Sequence, residues 1–298
     1  MRLYKKLYTE NCYQASSWNF EIAKKYIFEV DSLFLEASFF VHYLDGVFVK
    51  KVIELPSSFG CPMKCGFCAS SHISKVTPLS ANVIEEIYEY VLSEEGVATN
   101  ESLVVSFTGM GDLFFTISSV EEVIKSIARY NENAQFTVSS CCWTTGLVER
   151  IERLSTEVKF RAIQCSFVSC SSRVVQRVIP FYGNDLFIAD NCANLIESSS
   201  LNGFRINYIM VNNLNDSDNA FDEFIRIFRR VRANIVVRIS KMNETAASKR
   251  NGLLPPDISR MMDFNRKLTE NGFSSYLFYS AQNDNMNCGQ LVTECMVE

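Results

Sequence analysis

The sequence predicts an α/β fold, a full or partial (β/α) barrel preceded by a short strand-rich extension. From about residue 51 onward, short apolar runs alternate with helical patterns, as in parallel sheets covered by helices. Residues 1–50 instead contain β-rich segments and a single glycine, Gly46. We therefore expect residues 1–50 to form the extension and residues 51–298 the barrel core. Loops at the carboxyl ends of the strands, including a C-terminal loop, should form the active site.

Local patterns place the individual elements. In the extension, β-rich segments at 26–30 and 39–44 are followed by Asp45-Gly46, which is a hairpin signal. The predicted barrel strands are 51–55, Leu103–Phe107, Phe136–Ser139, Arg161–Phe167, Phe204–Val211, Ile235–Ile239 and Ser275–Tyr279. The predicted helices are 80–93, 118–130, 145–156, 188–200, 217–232 and 257–271.

Composition narrows the class of protein. The chain has 298 residues and a net charge of −5, and no apolar run reaches the ~18 residues of a spanning helix. The N-terminus has no apolar stretch behind its charges, so it does not resemble a secretion signal. The eleven cysteines form no disulfide pattern and favour a reducing cytoplasm. Because RNA-binding proteins usually need basic surface, the acidic balance favours a small substrate over RNA and predicts no membrane partner.

The most informative stretch is the cysteine loop after the first barrel strand. Cys61, Cys65 and Cys68 are spaced by four and three residues, and three thiolates are one fewer than a closed zinc or iron–sulfur site needs. A cluster held in this way keeps one iron open. The alternatives are half of a zinc site or buried thiols, but no second cysteine or histidine pair with zinc spacing exists in the sequence. We predict an iron–sulfur cluster.

Glycines and polar residues near the ends of the later strands are candidates for a binding pocket. They are Gly109, Gly111 and Asp112, then Ser139 and Ser140, then Gln164 and Ser166, and finally Lys241 and Asn243. Each group has a simpler interpretation: a tight turn, a helix cap or a solvated loop. His42, on a predicted strand, is expected to be a packed residue rather than a ligand.

The cysteine loop matches the pattern Cys-x3-Cys-x-aromatic-x-Cys, with Phe67 as the aromatic residue, and so resembles the radical S-adenosylmethionine (SAM) enzymes. The chain is similar to the RlmN and Cfr RNA adenine methyltransferases of that superfamily. The matching segments are Ser57–Cys68, Gly109–Asp112, Ile206–Val211 with Leu214–Asp216, and Cys288–Leu291.

This resemblance implies a set of cofactors and roles. A [4Fe–4S] cluster on the three cysteines would cleave SAM to a 5′-deoxyadenosyl radical, with an electron donor such as flavodoxin or ferredoxin. The turn at Gly109–Asp112 would bind the SAM amino group, and Ser139 and Ser140 would bind its ribose. Cys288 corresponds to the cysteine that accepts a methyl group in the family.

The departures from the family lead to a different expectation for the substrate. Glu54 stands where the family has a second, resolving cysteine, and Gln164-Cys165-Ser166 replaces a serine-leucine-histidine segment. Ala281-Gln282 or its neighbours replace an Arg-Gly pair, and the strand-rich extension stands where the family has a helical RNA-binding domain.

We therefore expect first a lyase for a small purine-like base, best matched by queuine cleavage in queuine salvage. A carboxylate such as Glu54, Asp284 or Asp185 would bind the amino edge of the base, and Cys288 would donate a hydrogen atom. The alternatives are RNA methylation through Cys288, or a protein that binds a cluster without catalysis.

Overall fold

The computed structural model describes residues 1–12, 18–181, 189–278 and 289–291. Its main sheet has ten strands in the order β1-β2-β3-β4-β7-β8-β9-β10-β11-β12. The strands are β1 Arg2–Cys12, β2 Phe20–Val30, β3 Leu33–Leu44, β4 Val47–Glu54, β7 Leu103–Phe107, β8 Ala134–Ser140, β9 Phe160–Phe167, β10 Phe204–Met210, β11 Ile235–Lys241 and β12 Ser274–Phe278. The short strands β5 (Ser58–Phe59) and β6 (Thr77–Pro78) pair separately.

Helices alternate with the parallel strands, which confirms the predicted α/β class. They are α1 Ala81–Glu94, α2 Leu113–Tyr130, α3 Thr145–Ser155, α4 Ser172–Val178, α5 Ala189–Ser198, α6 Asp218–Phe228, α7 Ala246–Arg250 and α8 Ile258–Glu270, with 3₁₀ turns at Ala69–His72 and Arg229–Val231. The sequence did not predict the short helices α4 and α7. None of the helices in the described ranges is long and apolar enough to cross a membrane.

The sheet is curled, and its two faces differ in chemistry. On β7, Leu103, Val105 and Phe107 are buried in the apolar core. Ser106, and Thr108 directly after the strand, line an interior cavity. The ends of the sheet approach each other, because the Phe278 ring of β12 lies 6.0 Å from the Trp18 ring, just before β2. Among the described strands, the order nevertheless ends at β1 and β12 without pairing them. The fold is therefore a partial barrel.

The N-terminal extension is larger than the sequence indicated and continuous with the barrel sheet. Strands β1 to β4 form an antiparallel meander, and β4 then pairs in parallel with β7. The expected boundary at residue 50 falls inside β4. The predicted hairpin at Asp45-Gly46 is confirmed, since both residues have positive φ (50° and 78°) and Leu44 pairs with Val47.

A buried ion pair ties the extension to the C-terminal segment. Lys25 Nζ lies 2.9 Å from a carboxylate oxygen of Glu36, and both side chains are almost fully buried. The same ammonium donates to the Gln290 carbonyl at 2.9 Å. A buried pair that loses one member leaves an uncompensated charge.

We expect Lys25→Met to lower the free energy of unfolding by about 3–5 kcal/mol in urea denaturation, because Glu36 then stays buried without its cation. Lys249→Met is the matched control, since Lys249 and Glu244 are exposed and 3.6 Å apart, and should cost less than about 1 kcal/mol. Equal losses in the two variants would contradict the assigned role of Lys25.

Candidate functional site

The cysteine loop is held in shape by bonds to its own backbone and to α7. Lys64, within the loop, has a positive φ of 53°, and its ammonium donates to two backbone carbonyls of the following turn, at 2.7 and 3.1 Å. The Thr245 hydroxyl donates to the Phe67 carbonyl at 2.9 Å, and the Asn251 amide donates to the Gly66 carbonyl at 2.8 Å. The loop is therefore fixed by elements far away in the sequence.

The three cysteines of this loop line one cavity of about 160 Å³. Cys65 is buried, and Cys61 and Cys68 are partly exposed. Burial and the nearby Asp112 carboxylate raise the pKa of the Cys61 thiol. Within the described ranges, no three histidine, cysteine or acidic side chains are placed to hold a single metal ion. A four-iron cluster takes one thiolate per iron, so three thiols distributed around one cavity fit this group.

A glycine turn after β7 forms another wall of the cavity. Gly111 has φ of +114°, and a Cβ atom there would lie 2.4 Å from Ser57 Oγ. At Gly109 a Cβ atom would lie 2.9 Å from the Leu55 carbonyl oxygen. The Ser57 amide donates to the Met110 carbonyl at 2.8 Å. Both glycines are thus required for the turn to pack against the segment that enters the cysteine loop.

Asp112 lines the cavity and is anchored by the protein. Its carboxylate accepts from the Ser140 hydroxyl at 2.6 Å, the Cys141 amide at 2.8 Å and the Phe114 amide at 3.0 Å, the last as the cap of α2. Burial raises the pKa of the Asp112 carboxyl, and these hydrogen bonds act in the opposite direction. The Cys141 thiol is a further hydrogen-bond partner of this carboxylate, so Asp112 is held in place by four protein groups.

Ser140 does not take the position that the sequence suggested. It is 1% exposed, is absent from the cavity wall and donates to Asp112. The expectation that it binds a ribose is therefore wrong. Strand alternation is the physical reason, because Ser139 faces the interior and its neighbour must face the other way.

The other predicted pocket residues do line the cavity: Ser139, Gln164, Ser166, Lys241 and Asn243. The Gln164 amide donates to Ser139 Oγ at 3.1 Å, and Ser139 Oγ lies 3.1 Å from Ser166 Oγ. Gln164 Oε1 is buried and has no hydrogen-bond partner among the residues that the structure describes. An unpaired buried acceptor is costly, so this oxygen is well suited to accept a hydrogen bond from a ligand.

Glu54, at the end of β4, lines this cavity and a second one beyond it. It accepts a hydrogen bond from the Thr108 hydroxyl. Burial raises the pKa of the Glu54 carboxyl, while the Thr108 bond and the charges of Lys25 and Arg238 act in the opposite direction. The position that would carry a resolving thiol therefore carries a buried carboxyl group that faces the interior.

Several predicted features lie outside the described residues: Cys288, Asp284, Asp185 and the pair Ala281-Gln282. The residue after Cys288 is described. Gly289 lines the cavity, and its carbonyl accepts from the Ala69 amide at 2.8 Å, directly after Cys68.

Sequence reasoning missed two features of the interior. Cys141 lines the first cavity and is hydrogen-bonded to Cys65. The second cavity, of about 510 Å³, is lined by Lys50, Arg161, Arg205 and Arg238. Alternation along β10, where Arg205 and Asn207 separate buried apolar residues, was the available signal. The overall apolar character of 204–211 predicts a buried strand and hides this alternation.

No family model matches the chain. A probable dual-specificity RNA methyltransferase RlmN of Chlorobium chlorochromatii is 29% identical over 55% of the chain and 45% of that protein, so this match spans less than half of the relative. A probable RNA methyltransferase of Rhodopirellula baltica is 24% identical over 97% of the chain and 75% of that protein. The crystal structure of a radical SAM methyltransferase from Sphaerobacter thermophilus has a TM-score of 0.76 at 19% identity, covering 98% of this chain and 81% of that one.

The fold, the cysteine loop and these relatives define the class of protein. The chain is similar to proteins of the radical SAM superfamily. Its similarity within the superfamily is to RlmN-like proteins, as the sequence motifs indicated. Members of the superfamily use a [4Fe–4S] cluster and SAM.

Proposed function

We propose that the chain binds a [4Fe–4S] cluster through Cys61, Cys65 and Cys68 and cleaves SAM reductively. The observation that carries this proposal is a single cavity lined by the three thiols and the turn Gly109–Asp112. This cavity lies at the carboxyl ends of the parallel strands, where barrel enzymes place their chemistry. When bound, such a cluster supplies the electron that divides SAM into methionine and a 5′-deoxyadenosyl radical.

The protein's own residues would bind and orient SAM. The Asp112 carboxylate lines the cavity and would attract the ammonium group by its charge, and the close backbone approach at Gly109 and Gly111 leaves room for the amino-acid part. Gln164 Oε1 lies buried and unpaired beside Ser139 and Ser166, where it would accept from a ribose hydroxyl. Lys241 and Asn243, after β11, would bind the adenine edge.

For the reaction that follows, we put methylation of an RNA base first, because the relatives are named as RNA methyltransferases. Queuine cleavage, which the sequence had favoured, gains no support from these relatives. Bond cleavage in a small nucleobase derivative stays as the second candidate. It is favoured by Glu54, a carboxyl group held by Thr108 at the interior end of the cavity.

The test is anaerobic reconstitution followed by incubation with SAM and dithionite. We expect 5′-deoxyadenosine to form well above the level seen with a Cys68→Ser variant, which lacks one ligand to the cluster. If cluster-loaded protein cleaves SAM under none of the substrate conditions, the proposal is overturned.

Two substrate arms separate the candidate reactions. An RNA that gains the mass of one methyl group, together with a methylated Cys288 peptide, identifies the methyltransferase. A small base such as queuine that loses its side chain while Cys288 stays unmodified identifies the lyase.

A further inference from the structure

The second cavity is a basic chamber in the half of the barrel that contains the amino ends of the parallel strands. Arg161 and Arg205 lie near the starts of β9 and β10, and Lys50 lies in the middle of β4. The amino ends of barrel strands usually contribute to stability, because active sites form at the opposite ends. A cavity of about 510 Å³ here is within the range of ligand sites, about 300–1,000 Å³.

The charges of this chamber are unbalanced. Its cations are Lys50, Arg161, Arg205 and Arg238, and its acidic side chains are Glu21 and Glu54. Glu21 lies 3.1 Å from the ring of His42, and burial lowers the pKa of that histidine. The side chains of Arg161 and Arg205 have no hydrogen bond or ion pair within the described part of the chain. Two guanidinium groups without partners on neighbouring strands are well arranged to bind an oxyanion.

The same chamber has flat apolar surfaces. Trp18, Phe40, Tyr276 and Phe278 contribute to its wall. Arg238 lies over the Phe278 ring at 3.5 Å, and Lys50 lies over the Trp18 ring at 4.4 Å. Aromatic rings and guanidinium planes stack against planar ligands.

The chamber is continuous with the cavity of the cysteine loop. Both are lined by Glu54, Thr108, Gln164, Arg238 and Phe278. A ligand in the chamber would therefore present one end to Glu54 and Gln164, next to the site proposed for SAM.

We propose that this chamber binds a free small molecule with a phosphate group and a planar ring, about the size of a mononucleotide. Arg161 and Arg205 bind the phosphate, the aromatic residues stack on the ring, and Glu54 binds its polar edge. The proposal rests on the second candidate reaction, bond cleavage in a small nucleobase derivative, only in taking this ligand as the substrate, and its binding is measured without SAM cleavage.

The test uses isothermal titration of the cluster-loaded protein with guanosine 5′-monophosphate (GMP) and with guanosine. We expect GMP to bind at least tenfold more tightly, because charge-assisted hydrogen bonds to phosphate are lost in guanosine. We expect Arg205→Gln to weaken GMP binding by about 10- to 100-fold. The control Arg153→Gln, at an exposed position of α3, should leave the affinity for GMP unchanged.

Equal affinities for GMP and guanosine would overturn the proposal. So would a single-stranded RNA oligonucleotide that binds tightly and is not displaced by GMP, because the chamber would then belong to a path for RNA. SAM cleavage measured on the same preparation shows independently whether the proposed radical chemistry is present.

Replacement of Lys50 gives a second test, in which the stability of the empty protein and its affinity for GMP should change in opposite directions. Burial and the three neighbouring arginines lower the pKa of Lys50 to about 8, against the opposite effect of Glu21. Because this pKa lies below its unfolded value, the charged form destabilises the empty protein at pH 7, and stability rises with pH from about 8 to the unfolded pKa. Phosphate binding favours the charged form, so GMP affinity should fall as pH rises through about 8.

We expect Lys50→Met to raise the melting temperature of the ligand-free protein at pH 7, to weaken GMP binding and to remove the decline in affinity near pH 8. The groups that face Lys50 from other strands are Arg161, Arg205, Arg238, Glu21 and His42, and Glu54 faces it from its own strand, β4. An unchanged GMP affinity and pH profile in this variant would contradict the assigned role of Lys50.

Discussion

Replacing Cys68 with serine is expected to abolish cluster binding and, with it, cleavage of SAM. Cys68 is one of three thiols around one cavity, and two thiolates cannot hold three irons of a cluster. Changes to the outer partners of metal ligands already cost about 10- to 100-fold in affinity or activity. We therefore expect loss of the ligand itself to reduce 5′-deoxyadenosine formation by at least about 100-fold, with iron content and absorbance of the reconstituted protein falling in parallel.

The matched control is Cys170→Ser. Cys170 is also partly exposed, but it does not line the cavity. We expect this variant to retain wild-type iron content and SAM cleavage. If both serine variants lose iron to the same extent, or if Cys68→Ser retains it, the assignment of the cluster ligands is wrong.

Replacing Gly111 with alanine is expected to disrupt the wall of the site opposite the cysteines. The new methyl group would lie 2.4 Å from Ser57 Oγ and 2.7 Å from Ser58 Oγ, at φ of +114°. An unfavourable backbone conformation costs about 1–2 kcal/mol, and overpacking costs about 1–3 kcal/mol more. Urea denaturation should therefore show a loss of about 3 kcal/mol, and the displaced turn should also weaken SAM binding.

Gly96→Ala is the control that separates the cost of the backbone conformation from the cost of overpacking. Gly96 also has a positive φ, +60°, but a Cβ atom there would have no neighbour within 4 Å. We expect this variant to lose about 1 kcal/mol from the backbone conformation alone and to bind SAM normally. A Gly111→Ala variant no less stable than Gly96→Ala would show that the close approach to Ser57 is not needed.

Much of the barrel could be predicted because its strands and helices carry local signals. The predicted strand 103–107 matches β7, and the predicted helix 145–156 differs from α3 by one residue. The long strands β1 and β2 were less visible, because charged residues such as Lys5 and Lys24 interrupt their apolar pattern. Their stability comes from pairing with neighbouring strands, which no local pattern contains.

Which individual residues line the site could not be predicted from the sequence, because this depends on the direction in which each side chain points. Ser139 and Ser140 were equivalent in sequence, yet one lines the cavity and the other supports Asp112. The shift between β8 and β9 in the sheet and the curl of the strands decide such positions, and both arise from long-range pairing.

The sequence by itself indicated the similarity to radical SAM enzymes, the three cysteines and the glycine turn, because each depends on residue types at fixed short spacings. Only the tertiary structure showed that β2 and β3 extend the barrel wall beyond β4, and that Lys50 shares a chamber with Arg161, Arg205 and Arg238. These cations come from four strands across some 190 residues of chain. Their proximity is a consequence of sheet order and curvature, and therefore of packing rather than of local sequence.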